Sequence, residues 1–377
     1  RSSAASDVYK RQMIFTENIR KLTFALRWPL RRPDSKFALI VALATTVWLS
    51  LSIILMTWIP GTGAHSGTYV KFTFRIATML VHFLVTVAAL LLIIRSRGTG
   101  IQAYVQSIWS TQRHQFITLP LMSLLGVATF AIFMTAYTSI KVRIPSIAPF
   151  SWDDRLAAWD AALFLGTDPW RLFEWVHEAR PLLRAVDVIY DFWAVLLTGS
   201  WTWCFIHSAL PLARRLRYCL ALIMTWSIGG NLLAIVLSSA GPCYFDVVGT
   251  VPDYYSELMA HLHSAAPLRT LDAQEMLLVS YQSGDPAVGG ISAMPSMHCA
   301  TAFLFFLMFG EGRIMRALTA GFFSLIFCSS VILGWHYALD GLVAVLLASV
   351  CWWVAGRLPL QRMLEVAPNS HSGSAHT

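Results

Sequence analysis

Charge is what this chain has least of. Of its 377 residues only 13% are Asp, Glu, Lys or Arg, about half the share usual in a soluble domain. By contrast 56% are hydrophobic, and the mean hydropathy is +0.59. No soluble core absorbs that much apolar surface, so a soluble enzyme or binding domain is excluded. Paired cysteines are also missing. Cys204, Cys219, Cys243, Cys299, Cys328 and Cys351 are scattered, and no C-x-x-C occurs, so neither a zinc ribbon nor a disulfide framework is indicated. An H-E-x-x-H motif is absent, which removes the commonest zinc-hydrolase pattern. No internal repeat is found, and repeated halves are the usual pointer to a carrier.

What the chain does have is apolar runs of about 20 residues, the length that crosses roughly 30 Å of hydrocarbon as a helix. Eight are read: 37–59, 76–94, 116–137, 188–212, 218–240, 297–309, 317–333 and 335–354. The expectation is an all-α polytopic membrane protein of about eight transmembrane helices. The first twelve residues, RSSAASDVYKRQ, fit nothing that follows and resemble a translated cloning or sequencing-adapter stretch, with Met13 as the expected start. Residues 13–36 read as a basic cytoplasmic N-terminus, 37–115 as two N-terminal helices, 116–356 as a six-helix catalytic core, and 357–377 as a cytoplasmic, disordered tail. No cleavable signal peptide is expected, because the first apolar run is long enough to remain as an anchor.

The formal net charge of +8 would suggest nucleic acid in a soluble protein. Here the basic residues cluster beside the apolar runs. Arg95, Arg97 and Arg113, then Arg214, Arg215 and Arg217, then Arg313 and Arg316, then Arg357 and Arg362 all fall on one side if eight helices alternate. That is the cytoplasmic side, so no nucleic-acid partner is expected, and both termini are placed in the cytoplasm. The other side receives two long connections, 140–187 and 241–295. The first carries Trp152, Trp159, Trp170 and Trp175, a composition suited to interfacial helices. The expected location is a membrane, a bacterial plasma membrane being the one favoured, with the outer connections extracytoplasmic.

Two histidines stand at the starts of helices on that outer side. His336 and Asp340, in Gly334-Trp335-His336-Tyr337-Ala338-Leu339-Asp340-Gly341, are four apart, so a helix sets them on one face. The carboxylate then orients one ring nitrogen and leaves the other as a nucleophile. Taken alone, the pair fits a structural pin between helices equally well. In Gly289-Gly290-Ile291-Ser292-Ala293-Met294-Pro295-Ser296-Met297-His298, glycines allow close backbone approach, Pro295 suits a first helical position, and free N–H groups with the Ser296 hydroxyl make an anion site. His298 stands at its mouth as a proton donor. Taken alone, this too reads as an ordinary helix start. At the end of the third segment, Lys141 and Arg143 supply positive charge on the same side. Phosphoryl transfer needs a nucleophile, a proton for the leaving group and cations on the phosphoryl oxygens, and this constellation holds all three. His298, His336 and Asp340 also have donor types that hold zinc, but no metalloenzyme motif accompanies them, and neither metal nor cofactor is expected.

These residues resemble the type 2 phosphatidic acid phosphatase superfamily, whose motifs are K-x6-R-P, P-S-G-H and S-R-x5-H-x3-D. Pro295-Ser296-Met297-His298 matches the second with methionine for glycine, and His336 and Asp340 match the end of the third. Ser329-Ser330 stands where Ser-Arg is expected, and K-x6-R-P is absent. The methionine, together with Gly334-Trp335-His336-Tyr337, Gly166-Thr167-Asp168-Pro169-Trp170 and Gly241-Pro242-Cys243-Tyr244-Phe245, is similar to the inositol phosphorylceramide synthase branch. The resemblance implies a six-helix core in which His336 attacks phosphorus and Asp340 orients it. His298 then serves as acid and base, and Ser296, Gly290, Lys141 and Arg143 bind the phosphate. Three functions follow: transfer of a phosphoinositol-like headgroup between membrane lipids, hydrolysis of a lipid phosphate or polyprenyl diphosphate by the same chemistry, or a non-enzymatic transporter or scaffold. For the last, Arg184, Asp187 and Asp191 are the candidate ion path.

Overall fold

In the computed structural model the described residues are 33–57, 100–206, 210–283 and 290–360, with scattered positions between 78 and 97. About half of the second apolar run, the first twelve residues, most of the basic N-terminus and most of the tail lie outside them. Every regular element among the described residues is helical. That follows from the solvent: hydrocarbon offers no partner to a backbone N–H or C=O, so each segment must satisfy its own.

The main helices are α1 (Pro33–Thr57), α2 (Ile101–Lys141), α3 (Asp153–Leu163), α4 (Arg180–Ile206), α5 (Leu212–Ser227), α6 (Ser256–Ser264), α7 (Arg269–Ser283), α8 (Met297–Phe309), α9 (Arg313–Ile332) and α10 (Ala338–Ala355). Five stretches are long and apolar enough to cross a membrane: Asp34–Thr57, Thr118–Ile147, Leu212–Val236, Arg313–Ile332 and Ala338–Ala355. The chain is thus an all-α polytopic membrane protein. α4 is as long as these, but Arg184, Asp187 and Asp191 interrupt its first half. α8 is shorter, its 13 residues beginning and ending where the apolar run does. α2, at 41 residues, is about 60 Å long, twice what a bilayer needs, and only its second half is uniformly apolar.

Between helices that are apolar on all sides the hydrophobic effect gives no attraction in lipid, so close packing and a few hydrogen bonds hold the bundle. Along α10 most buried residues are small, among them Ala338, Gly341, Ala344, Ala348 and Ala355, a row that lets α5 and α8 lie close against it. Polar clasps add direction. The Trp201 indole of α4 donates to Gly126 O of α2 at 3.1 Å, and the Trp226 indole of α5 donates to Thr301 Oγ1 of α8 at 3.0 Å. Past Ser227, α5 widens into a π turn, Ile228–Leu233, whose Asn231 donates to Tyr137 O at 3.1 Å. Such turns often mark functional sites, and this one borders the cavity described below.

The described parts of the two long connections carry α3, α6, α7 and shorter helices and gather at the cavity end of the bundle. Of the tryptophans read as interfacial, Trp159 and Trp175 are exposed and Trp170 is buried, packed against His177.

Candidate active site

The last helix does not begin where the sequence spacing placed it. α10 starts at Ala338, with Tyr337 as N-cap, so His336 precedes the helix, and the pair is not an i, i+4 couple on a helical face. It forms through a capping box. Asp340, at the third helical position, reaches back, and its Oδ2 accepts from Tyr337 N at 3.1 Å and lies 3.2 Å from His336 Nδ1. The same carboxylate therefore starts the helix and holds the imidazole. From behind, Ser330 O accepts from both Trp335 N and His336 N at 3.0 and 3.1 Å. Ser330, which stands where the resembled motif has arginine, acts here through its backbone. Burial, and secondly the charge of Lys141, push the His336 imidazole down to about 3, so it is neutral at neutral pH, the form a nucleophile requires.

α3 anchors this turn from outside, which sequence reasoning missed. Asp153 and Asp160 are seven apart, two turns along one face. Asp160 accepts from Ala338 N and Leu339 N at 2.8 and 2.9 Å, capping α10. Asp153 accepts from Ala240 N, Gly241 N and the Tyr337 hydroxyl at about 2.9–3.1 Å. Gly241, at φ +99, brings its backbone against Trp335 O, where a Cβ would sit 2.6 Å away. The heptad spacing of two aspartates on a Trp-bearing outer helix was the available signal.

α8 brings the second histidine. Ser296 is its N-cap, and the Ser296 hydroxyl accepts from Cys299 N at 3.4 Å, while Ser296 N donates to Asp340 O at 3.2 Å. Pro295 therefore precedes the cap and does not occupy the first turn. His298 lies against Tyr190 and Trp193 of α4, ring centroids 4.5 and 4.1 Å away. Its ring centroid is 6.1 Å from that of His336. Tyr190 and Trp193, three apart on one face of α4, were also missed; their i, i+3 spacing before a charged-to-apolar boundary was the only sequence trace.

A cavity of about 350 Å³ collects these groups, with Lys141, His298, His336, Gly290, Trp193 and Asp191 in its wall. Lys141 arrives at the last position of α2. Gly290 packs directly on the Lys141 carbonyl and on Val142 Cα, a contact that any side chain would block. Four expected residues, His298, His336, Lys141 and Gly290, thus meet at one cavity, with Asp340 behind His336. Ser296 and Arg143 sit behind the wall. Ser296 is fully buried and engaged as a cap, and Arg143 turns back to donate to Ser139 O at 2.8 Å. Among the described residues no group of three His, Cys, Asp or Glu converges as metal ligands.

Fold and cavity together define a helical membrane protein with a histidine-bearing pocket at one end of its bundle. A family model described as the PAP2 superfamily matches residues 154–354, more than half the chain, and the chain belongs to that superfamily. Its members are phosphatases and phosphotransferases of lipid phosphates. No curated protein and no solved structure matches the chain. The matched region holds His298, His336 and Asp340 but not Lys141, which α2 contributes from outside it.

Proposed function

We propose that this protein transfers a phospho-headgroup, phosphoinositol-like, from one membrane lipid to a lipid alcohol through a phosphohistidine on His336. The observation that carries the reading is the shared cavity wall. A neutral His336 with Nδ1 held by Asp340, His298 one ring away and the Lys141 ammonium line one space. With Nδ1–H donating to the carboxylate, Nε2 holds the lone pair that attacks phosphorus. Lys141 offsets charge on the phosphoryl oxygens. His298 protonates the departing alcohol and then takes a proton from the acceptor. Gly290 and the start of α8 line the phosphate side; Ser296 and Arg143 hold the ends of α8 and α2 in place. The chemistry uses no metal. Basic residues at the starts of α5 and α9 and just after α10 lie at the bundle end opposite the cavity, which supports an extracytoplasmic site.

The test is purified protein in detergent with chelator, given radiolabelled phospholipids with and without a lipid alcohol, beside His336→Ala. Headgroup transfer that depends on the alcohol and is lost in the variant is expected. Release to water alone, unaffected by alcohols, would make the protein a hydrolase of the same mechanism. Turnover that survives in His336→Ala would overturn the assignment of the site.

A further inference from the structure

The three charges in the first half of α4 form no path across the membrane. Arg184 donates to Ala265 O and Ala266 O at 3.3 and 3.1 Å. Asp187, 3% exposed, accepts from Arg269 N and Thr270 N at 2.8 and 2.9 Å and so caps α7. Both tie the outer chain to the bundle. Asp191, one turn further on, does something else. It stands in the cavity wall with Lys141, His298 and His336. Its side chain is 44% exposed, and Arg269 Nη1 reaches it at 3.3 Å from a position 68% exposed.

A carboxylate is an odd lining for a space that receives phosphate. Two like charges in a partly buried cavity repel, and the repulsion is greatest for a phosphomonoester, which carries close to two charges at neutral pH. The same carboxylate is favourable if the ligand extends past phosphorus and presents hydrogen-bond donors to it, since bonds to an ionised group are about twice as strong as neutral ones. Lys141 and the histidines come from α2, α8 and the turn before α10; Asp191 and Thr270 come from α4 and α7. The wall thus combines groups suited to phosphate with a carboxylate that accepts hydrogen bonds. Its volume of about 350 Å³ falls within the range of small-molecule pockets.

We propose that Asp191 is a specificity-determining residue. It accepts hydrogen bonds from a donor-bearing headgroup, hydroxyl-rich or ammonium, of a phosphodiester lipid and disfavours a bare phosphomonoester. Arg269 only pairs with it from the solvent side, and the selectivity does not depend on that exposed pair. The inference rests on the phosphotransfer reading, because only that reading places phosphorus beside His336.

The experiment compares the full-length protein with Asp191→Asn and Arg269→Gln, using phosphatidylinositol, phosphatidylethanolamine and phosphatidate as probes. Asp191→Asn is expected to lower the preference for diester over phosphatidate about tenfold, chiefly through KM, because a charge-assisted bond becomes a neutral one. Arg269→Gln is expected to retain the preference. A loss confined to phosphatidylinositol identifies a polyol headgroup; one confined to phosphatidylethanolamine identifies an ammonium headgroup. An equal decline on all three lipids in Asp191→Asn, or the same change of preference in Arg269→Gln, would reduce Asp191 to a tether and overturn the proposal. Equilibrium binding of the same lipids to His336→Ala, with and without Asp191→Asn, separates the two readings. If turnover never depended on His336 but binding still preferred the diesters through Asp191, the subsite would stand and the phosphohistidine would not.

Discussion

His336 and His298 are the same side chain given different surroundings. His336 is held at Nδ1 by a carboxylate that is itself fixed as the third residue of α10. His298 lies against the rings of Tyr190 and Trp193 and near that of His336, and among the described residues no carboxylate is hydrogen-bonded to it. The proposed function gives attack to the first and proton transfer to the second on the ground of that difference, and the division can be measured. Replacing His298 with Ala should lower transfer from an alkyl phosphodiester by about a hundredfold to ten-thousandfold, the usual range for a general acid–base. A radiolabelled aryl phosphodiester, whose leaving group needs no proton, should still label the His298→Ala enzyme, and the label should accumulate because the acceptor is no longer activated. His336→Ala should carry no label with either substrate. A labelled His336→Ala protein would exchange the two roles.

Among elements, α3 matters beyond its size. It lies outside the apolar runs, yet Asp160 caps α10 and Asp153 gathers Ala240, Gly241 and Tyr337. Losing an N-cap costs about 0.5–2 kcal/mol, so Asp160→Ala should destabilise the protein by that amount and lower turnover, since His336 sits two residues ahead of the capped turn. Burial lifts the Asp160 carboxyl to about 6, partly offset by the two N–H groups. Its unfolded value is near 3.8. Between these values the folded chain holds a proton that the unfolded chain has released. This group's contribution is therefore full below about 4 and is lost as pH rises through about 6. Unfolding midpoints in detergent from pH 4 to 7 should show that slope in the wild type and a shallower one in Asp160→Asn; identical slopes would remove Asp160 as the cause.

The helices themselves were legible to different degrees, for identifiable reasons. The run 297–309 coincides with α8 because Ser296 caps it and Gly310 follows it. The run 188–212 began late. Hydropathy stops at Arg184, Asp187 and Asp191, but the helix continues to Arg180 because those charges have partners on the outer chain. The run 116–137 missed the polar first half of α2, where no Gly or Pro interrupts until Pro120, which the helix accommodates. At the site, the two motif histidines and Lys141 were legible from residue type and order. Asp153, Asp160, Tyr190 and Trp193 were not, since each matters only through a residue far away in the chain.

Seen as a whole molecule, the bundle has two unlike ends. Arg214, Arg217, Arg313 and Arg316 belong to the starts of α5 and α9, and Arg357 follows the end of α10. The cavity, α3, α6 and α7 lie at the other end. If the positive end is cytoplasmic, a cysteine introduced at the exposed Trp175 should react with a membrane-impermeant thiol reagent in intact cells. One at Arg316 should react only after permeabilisation. The reverse pattern would place the cavity in the cytoplasm.

By itself the sequence determined the solvent, the helical class and the identity of the two histidines, because composition, run length and short motifs are local properties of a chain. The tertiary structure decided which carboxylate serves which backbone, that His336 stands ahead of its helix and is held by a capping box, and that Lys141 shares a wall with it. It also turned Ser296 and Arg143 inward and set Asp191 on the cavity. Each of these depends on backbones brought into contact across tens to hundreds of residues, as at Gly290 on Lys141 and Asp160 on Ala338, and no local pattern encodes such a meeting.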